Sequence, residues 1–383
     1  MRTNARDKAY MQAALGLARR ALGTVAPNPA VGCVLVRFDL GSKTGLPGRV
    51  VGRGHTMPGG RPHAETQALE MAGPLAKGAT AYVTLEPCAH QGKTPPCANA
   101  LIEAGIARVV VACKDPDPRV DGGGLKLLEK AGLDVKTGVC EKEALAQNAG
   151  FISTVERDRP MVTIKTATTL DGRIATHTGE SQWITGPDAR ARGHLLRATH
   201  DAILVGSGTV RSDNPELTCR LPGMMSYSPI RVVLDGRLAT PLTAKLVATA
   251  TEIPTWIITL AGVESARAKV FEDAGVELIA VDADEDGRPS LHHALRALKS
   301  RGITRLLVEA GGRLDAGFFR SQLVDRLVWF HAPMVMGGDG VPAAQGFGVD
   351  GLRQAPCFKR IDVQEVGPDL MEIYDVLPAS GTK

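Results

Sequence analysis

The sequence predicts two consecutive α/β domains. Strand-like and helix-like runs alternate through residues 1–150 and alternate again from residue 160 onward. Between the two series, "FISTVERDRP" (151–160) breaks the pattern with charge and a proline. The chain is 383 residues long with 44% hydrophobic and 22% charged residues, the profile of an ordinary soluble globular protein of roughly two or three domains. The division places a first domain at 1–150 and a second at 160–383.

The elements follow in order. Residues 7–22 carry apolar side chains at 11, 14, 15, 18 and 22, the spacing of one helical face. The β-rich runs "VGCVLVR", "AYVTLE", "ARVVVAC" and "LDVKTGV" then alternate with helices beginning near His63, Pro95 and Gly123. After the break, "MVTIKTA", "DAILVG", "IRVVLDG", "TWIITL", "VELIAV" and "RLLVEAG" read as strands. Helices are expected near 187–198, 264–274, 291–301 and 314–323, and the chain ends in a β-rich tail with "RLVWFHAP" and "LMEIYDV". Strands separated by helical runs imply a mostly parallel sheet in this second domain of about 220 residues. No internal repeat or low-complexity tract interrupts either half.

Composition narrows the function. No apolar run reaches the ~20 residues of a membrane span, and the opening segment reads as a charged helix rather than a secretion signal, so a cytoplasmic location is expected. Seven cysteines, an odd number and few for the length, argue against a disulfide framework and leave thiols free as ligands or core residues. The net charge of +4 is uneven: residues 1–150 hold 19 Lys/Arg against 13 Asp/Glu, the remainder 26 against 28. A mildly basic first half suits a phosphorylated small molecule. Without a run of five basic residues, an extended nucleic-acid surface is not expected.

His63-Ala-Glu65 stands where a Gly-rich turn meets a helix. Alone the triplet is weak, because acidic residues favour first turns and a single His usually has a structural role. "LEPCAHQGKTPPC" changes its weight by supplying Cys88 after a strand and a proline, and Cys97 at the start of the next helix. One imidazole and two thiolates form a three-ligand zinc set with a fourth position open, the arrangement of a catalytic site. Zinc lowers the pKa of water to about 7. Glu65 is the wrong type for this ligand set and suits the proton carrier, and His-Ala-Glu, Pro-Cys and Cys in that order form the zinc deaminase signature. The alternatives are two buried thiols, or a closed structural zinc in which His90 rivals His63. The usual Cys-x-x-Cys is here Cys-x8-Cys, and Cys33 reads as core packing.

The longer spacing points to a family. "PNPAVGCVLV" (27–36), "GGRPHAE" (59–65) and "EPCAHQGKTPPC" (86–97) resemble the bifunctional deaminase/reductases of riboflavin biosynthesis. So do "KTATTLDGRIA" (165–175), "GESQWITG" (179–186), "ILVGSGTVRSDNPELTCR" (203–220) and "LLVEAGGRLDAGFF" (306–319). The likeness spans nearly the whole chain. It departs in the loop 37–50, longer than usual, and in "TTLDG" where Ser-Leu-Asp-Gly is commoner.

The resemblance implies a cytidine-deaminase-like domain followed by a dihydrofolate-reductase-like domain, and a homodimer or higher oligomer. It implies zinc at His63, Cys88 and Cys97 with Glu65 catalytic, and hydrolytic deamination of 2,5-diamino-6-(5-phosphoribosylamino)pyrimidin-4-one. A reduction of the ribosyl group with NADPH would follow. In the second domain it implies substrate contacts at Ser181, Arg197, Leu217, Arg220 and Glu309. Cofactor contacts are implied at Ala167, Trp183, Thr209, Asp213 and the turn Gly311, Gly312, Arg313, Leu314, Asp315, Ala316 and Gly317. Arg197 and Arg220 can clamp a phosphate with fork-shaped donors, and the glycine turn lets backbone amides approach a pyrophosphate. That turn lacks GxGxxG spacing, and Trp183 by type is more often core than cofactor platform. Arg313 is the candidate for the 2′-phosphate of NADPH, and Lys165 is placed near the chemistry with its role open. Two rivals remain: a deaminase of nucleic-acid bases, disfavoured by the lack of a basic tract, and a binding protein with structural zinc, disfavoured by Glu65.

Overall fold

The computed structural model describes residues 5–41, 48–89, 95–118, 120 and 122–377. His90 lies outside the described residues. The chain divides into two compact units, Met1–Asp158 and Arg159–Lys383.

The first unit is a five-stranded sheet between helices. Its strands are β1 (Gly32–Arg37), β2 (Arg49–His55), β3 (Thr80–Val83), β4 (Arg108–Val111) and β5 (Asp134–Thr137), in the order β2-β1-β3-β4-β5. The β1 strand is antiparallel to β2 and β3, whereas β3, β4 and β5 are mutually parallel. Alternation along β1 feeds two cores. Cys33 and Leu35 pack with α2 (Ala64–Ala72), α3 (Cys97–Glu103) and α4 (Gly123–Lys130), while Val34 and Val36 pack with α1 (Ala5–Ala18). Cys33 is therefore a core residue, as its setting predicts.

Close helix-on-sheet approach depends on glycines. A Cβ on Gly52 would stand 2.1 Å from the Ala68 carbonyl oxygen, and one on Gly54 would stand 2.3 Å from that of Ala64. A side chain at either position would lift α2, which carries Glu65 and begins at His63.

The α1 helix is fastened by Asp7, which is buried. Its carboxylate accepts from Tyr82 Oη at 2.9 Å, from Arg108 at 2.9 and 3.0 Å, and from Lys136 at 2.9 Å, so one acid links the helix to β3, β4 and β5. Burial alone would raise this carboxyl; Arg108, Lys136 and Tyr82 more than reverse that and hold it well below the usual carboxylate range. The segment read as a break in the pattern is helical over 151–156 and leaves the helix at 157–160, where the two units divide. Two short helices, α5 (Glu141–Gln147) and α6 (Ala149–Glu156), flank buried Asn148, whose Oδ1 accepts from Ala30 N at 2.9 Å.

The second unit is built on a nine-stranded sheet ordered β11-β10-β9-β8-β12-β6-β13-β16-β15. In chain order its elements begin with β6 (Met161–Thr168), β7 (Arg173–Ala175), α7 (Pro187–Ala198), β8 (Ala202–Gly206) and α8 (Ser207–Asp213). Next come β9 (Ile230–Leu234), α9 (Lys245–Ala248), β10 (Thr255–Leu260), α10 (Ser265–Asp273) and β11 (Glu277–Val281). The chain continues through α11 (Leu291–Ser300), β12 (Arg305–Val308), α12 (Gly312–Arg320), β13 (Arg326–His331), β14 (Val341–Pro342), β15 (Phe358–Val366) and β16 (Asp369–Val376). The short β7 and β14 pair only with each other.

From β11 through β13 every pairing is parallel; only β13–β16 and β16–β15 are antiparallel. From β8 the chain steps outward through β9, β10 and β11, then returns to insert β12 between β8 and β6. This reversal is a topological switch point, and it opens a crevice at the carboxyl ends of β8 and β12. One face is packed by α11 and α12, the other by α9 and α10. The β15 strand was not anticipated. "FKRIDVQEV" forms an edge strand exposed through most of its length, so it has no apolar face to betray it.

Candidate functional site

Local folding brings the three metal-ligand candidates of the first unit together. His63 is the N-cap of α2, at φ −70° and ψ 160°, yet its side chain makes no capping bond, which leaves the ring to face the sulfurs. Cys97 opens α3, and Cys88 lies in the turn after β3. His63 Nδ1 stands 3.1 Å from Cys97 Sγ and 3.8 Å from Cys88 Sγ, and the backbone N–H of Cys97 donates to Cys88 Sγ at 3.3 Å. The three ligand atoms all lie within 4.8 Å of one another, and among the described residues theirs is the only such cluster.

The electrostatics fit a metal cation. The Cys97 thiol and the His63 ring stabilise Cys88 as a thiolate, pulling it down to about 4 against the opposing effect of burial. That same contact, with burial, pushes the Cys97 thiol well up. Protons shared in this way are what a divalent cation displaces when it binds two thiolates and an imidazole. Zinc matches the donor set, three protein ligands with a fourth direction left over. Glu65, in the first turn of α2, is buried at 3% exposure. Burial, with the Cys88 thiolate behind it, pushes its carboxyl up to about 7; a zinc cation beside it would act in the opposite direction.

In the second unit the switch point forms a cleft of about 890 Å³. The turn Gly311, Gly312, Arg313, Leu314 and Gly317 lines it from the start of α12, and Thr209 lines it from α8. A Cβ on Gly311 or Gly208 would meet nothing within 4 Å, so backbone is open to the cleft there. Gly312 is constrained from behind, where a Cβ would stand 2.6 Å from the Pro342 carbonyl oxygen. These features fit a dinucleotide phosphate against backbone amides at the start of a nine-residue helix.

Other predicted residues fall differently. Asp315 and Ala316, in the same turn, point into the protein at 2% exposure each, and burial pushes the Asp315 carboxyl well up. Leu217 is 3% exposed with its side chain in the core, at φ 57°, so only its backbone can meet a ligand. Asp213 ends α8 outside the cleft lining, and Ala167 is half-buried on β6 against Phe330 and its neighbours. Ser181 is half-buried. Trp183 is 64% exposed with the Arg190 guanidinium 4.7 Å from its ring, so the core reading that its type favours does not apply.

Arg197 and Arg220 do not form a matched clamp. Arg197 spends its fork on Glu309, with Nε to Oε1 at 2.8 Å and Nη2 to Oε2 at 2.9 Å, and its Nη1 donates to the Thr218 carbonyl at 3.0 Å. Arg220 is largely exposed and meets Glu216 at 3.4 Å. Lys165 Nζ lies 3.9 Å from Glu309 Oε2. Burial would raise Glu309, but Arg197 and Lys165 more than offset it and hold the carboxyl at about 2. The sequence reading missed the far wall of the cleft, Asp284 to His292 after β11, together with Arg211 on α8. Only their place beside the carboxyl end of a parallel strand could have signalled them.

Two family models match the chain. The cytidine and deoxycytidylate deaminase zinc-binding region covers residues 4–113, and the RibD C-terminal domain covers 160–371. The chain is 40% identical over 365 residues to riboflavin biosynthesis protein RibD of Bacillus amyloliquefaciens, covering 95% of each. It is 40% identical over 375 residues to that of Escherichia coli, covering 95% of this chain and 98% of the relative. Among solved structures it is similar to form 1 of Acinetobacter baumannii RibD, with TM-score 0.85, 36% identity and coverage of 97% and 99%. It is also similar to the Thermotoga maritima diaminohydroxyphosphoribosylaminopyrimidine deaminase/5-amino-6-(5-phosphoribosylamino)uracil reductase, with TM-score 0.83, 33% identity and the same coverage.

Proposed function

This chain belongs to the bifunctional riboflavin-biosynthesis deaminase/reductase family, and on that premise we propose which residues carry each reaction. The first domain, 1–150, deaminates 2,5-diamino-6-(5-phosphoribosylamino)pyrimidin-4(3H)-one. The second, 160–383, reduces the ribosyl group of the product with NADPH to give 5-amino-6-(5-phosphoribitylamino)uracil. The observation that carries this reading is the cluster of His63, Cys88 and Cys97 with buried Glu65 two residues after His63.

Those three residues would hold zinc, whose Lewis acidity makes water reactive near neutral pH. Glu65 moves the protons. It accepts one as water oxygen bonds to ring C2, and returns it to the 2-amino nitrogen, so that ammonia leaves as the C–N bond breaks. Its burial excludes bulk water from that path.

In the second domain the C1′–O4′ bond of the ribosyl group opens, C1′ gains hydride from the dinucleotide and O4′ gains a proton. Glu309 is ionised with both oxygens engaged by Arg197, so it orients the ribosyl group and does not transfer the proton. Lys165, beside it, is the nearest cation to that chemistry. Arg220, exposed and weakly held, is the phosphate contact. The family reading further implies a homo-oligomer, which light scattering would test.

The deciding experiment supplies zinc-loaded protein with the diaminopyrimidine ribotide, without and then with NADPH, and identifies products by mass. Ammonia release without NADPH and the ribityl product with it are expected. Deamination of RNA with the free ribotide untouched would overturn the reading.

A further inference from the structure

The α7 helix fastens the segment that carries Leu217 and Arg220 with two side chains. Arg197 Nη1 donates to the Thr218 carbonyl at 3.0 Å. Three residues earlier in the helix, the half-buried His194 ring places Nδ1 3.1 Å from that same carbonyl and 3.3 Å from the backbone nitrogen of Arg220. One ring nitrogen cannot serve both. Protonated, it donates to Thr218; unprotonated, it accepts from Arg220.

An account of donors decides between the two. The Thr218 carbonyl already has Arg197, whereas the Arg220 N–H has no acceptor but His194 Nδ1 among the described residues. Orphaned N–H groups are rarer in folded proteins than carbonyls with a lone pair unused. The ring is therefore neutral, with its proton on Nε2. Its surroundings agree. Burial opposes protonation, as do Arg197 from the same helix and Arg220; the Thr218 carbonyl and Glu309 after β12 favour it less, so the ring is held below its usual value. Lys165 and Glu216 stand one pairing further out, on Glu309 and Arg220, and Cys219 is buried.

The Arg220 side chain has little else to hold it, only contacts of 3.4 Å to Glu216 Oε2 and to Thr218 Oγ1. Its guanidinium goes where its main chain puts it, and the His194 ring ties that main chain to α7. We propose that neutral His194 is a positioning residue for the reductase reaction, fixing the Arg220 main chain so that the guanidinium meets the substrate phosphate and releasing it when the ring gains a proton. The proposal rests on the reading of Arg220 as the phosphate contact.

The test is steady-state reduction of the deaminated substrate at saturating NADPH, with KM and kcat followed over about pH 5 to 8. His194→Ala should raise the substrate KM roughly tenfold, the scale of one lost hydrogen bond, while kcat and the KM for NADPH stay within about twofold. His194→Asn puts an amide oxygen where Nδ1 stands, so it should restore the wild-type KM at about pH 8. The substrate phosphate itself gains a proton at about pH 6, and the ring is therefore read from the ratio of the wild-type KM to that of His194→Asn. That ratio should be flat above about pH 7 and climb as pH falls below the usual histidine value. In His194→Ala/Arg220→Ala the KM should equal that of Arg220→Ala alone, because positioning has nothing left to act on. Additive losses, an unchanged KM in His194→Ala, a loss that His194→Asn does not rescue, or a ratio flat to the lowest pH overturns the positioning role and leaves the phosphate reading standing. An unchanged KM in Arg220→Ala overturns both.

Discussion

The metal centre and the cofactor cleft solve the problem of holding a ligand in opposite ways. All four residues of the first lie between positions 63 and 97, at a helix start, a strand-following segment and a second helix start, and the ligand atoms of His63, Cys88 and Cys97 already lie within 4.8 Å of one another. The second gathers residues from 174 to 345 around a volume of about 890 Å³, and what unites them is the order of strands. Chemistry defines the first site and topology defines the second. Substitutions at the metal centre should therefore act in an all-or-none manner, and those around the cleft by degrees.

The largest effect is expected from Cys97→Ser. A hydroxyl is not ionised near neutral pH as a bound thiol is, so most zinc and the ammonia-releasing activity should be lost. NADPH oxidation with the already deaminated substrate should persist. Full metal content by elemental analysis would remove Cys97 from the ligand set. Next, Glu65→Gln should keep zinc and lower deamination by at least ~10²-fold, the scale of general acid/base catalysis; near-normal turnover would place the proton carrier elsewhere.

Elsewhere in the second unit, at the Arg197–Glu309 pair and at Arg220, the expected effects are smaller and show in stability as well as rate. Arg197→Ala leaves the buried Glu309 carboxylate without its fork, at a cost of about 3 kcal/mol to the second domain. Hydrogen exchange should register this in β12 and not in β3. The intact pair also makes stability depend on pH. Glu309 sits at about 2, below the ordinary value near 4.3, so its contribution is complete above the ordinary value and is lost as pH falls through about 2. An acid-melting curve identical in wild type and Glu309→Gln would contradict this. The smallest stability change belongs to Arg220→Ala. Its side chain is 42% exposed, so less than about 0.5 kcal/mol is expected, together with a raised KM for the phosphorylated substrate.

The same contrast explains what was legible in the sequence. His63, Glu65, Cys88 and Cys97 announce themselves because metal chemistry restricts residue type and spacing together, and most strands of both units appear as apolar runs, although β2, RVVGRGH, with two glycines and two arginines, does not. The joint of Asp7 with Tyr82, Arg108 and Lys136 was invisible, since its partners lie 75 to 129 residues away and nothing local distinguishes it from a surface acid. Arg197 looked like a phosphate ligand because its type suits one, whereas its partner Glu309 is 112 residues distant. The glycine turn at 311–317 was read as one unit, but helical periodicity turns Asp315 and Ala316 inward while Arg313 and Gly317 face the cleft. The edge strand β15 and the helix α5 escaped because their sequences carry charge, and α6 because it is short and runs straight into the charged residues 156–159.

The glycine seat beneath α2 has a consequence for genetics. Alleles that replace Gly52 or Gly54 would lose deamination just as a ligand allele does, although neither residue offers a ligand atom. Growth medium could tell the two lesions apart. Zinc binds the folded domain and not the unfolded chain, so excess zinc raises the folded fraction by mass action. It should partly suppress the phenotype of a crowded seat, whereas Cys97→Ser, which lacks the ligand itself, should stay null at every zinc concentration.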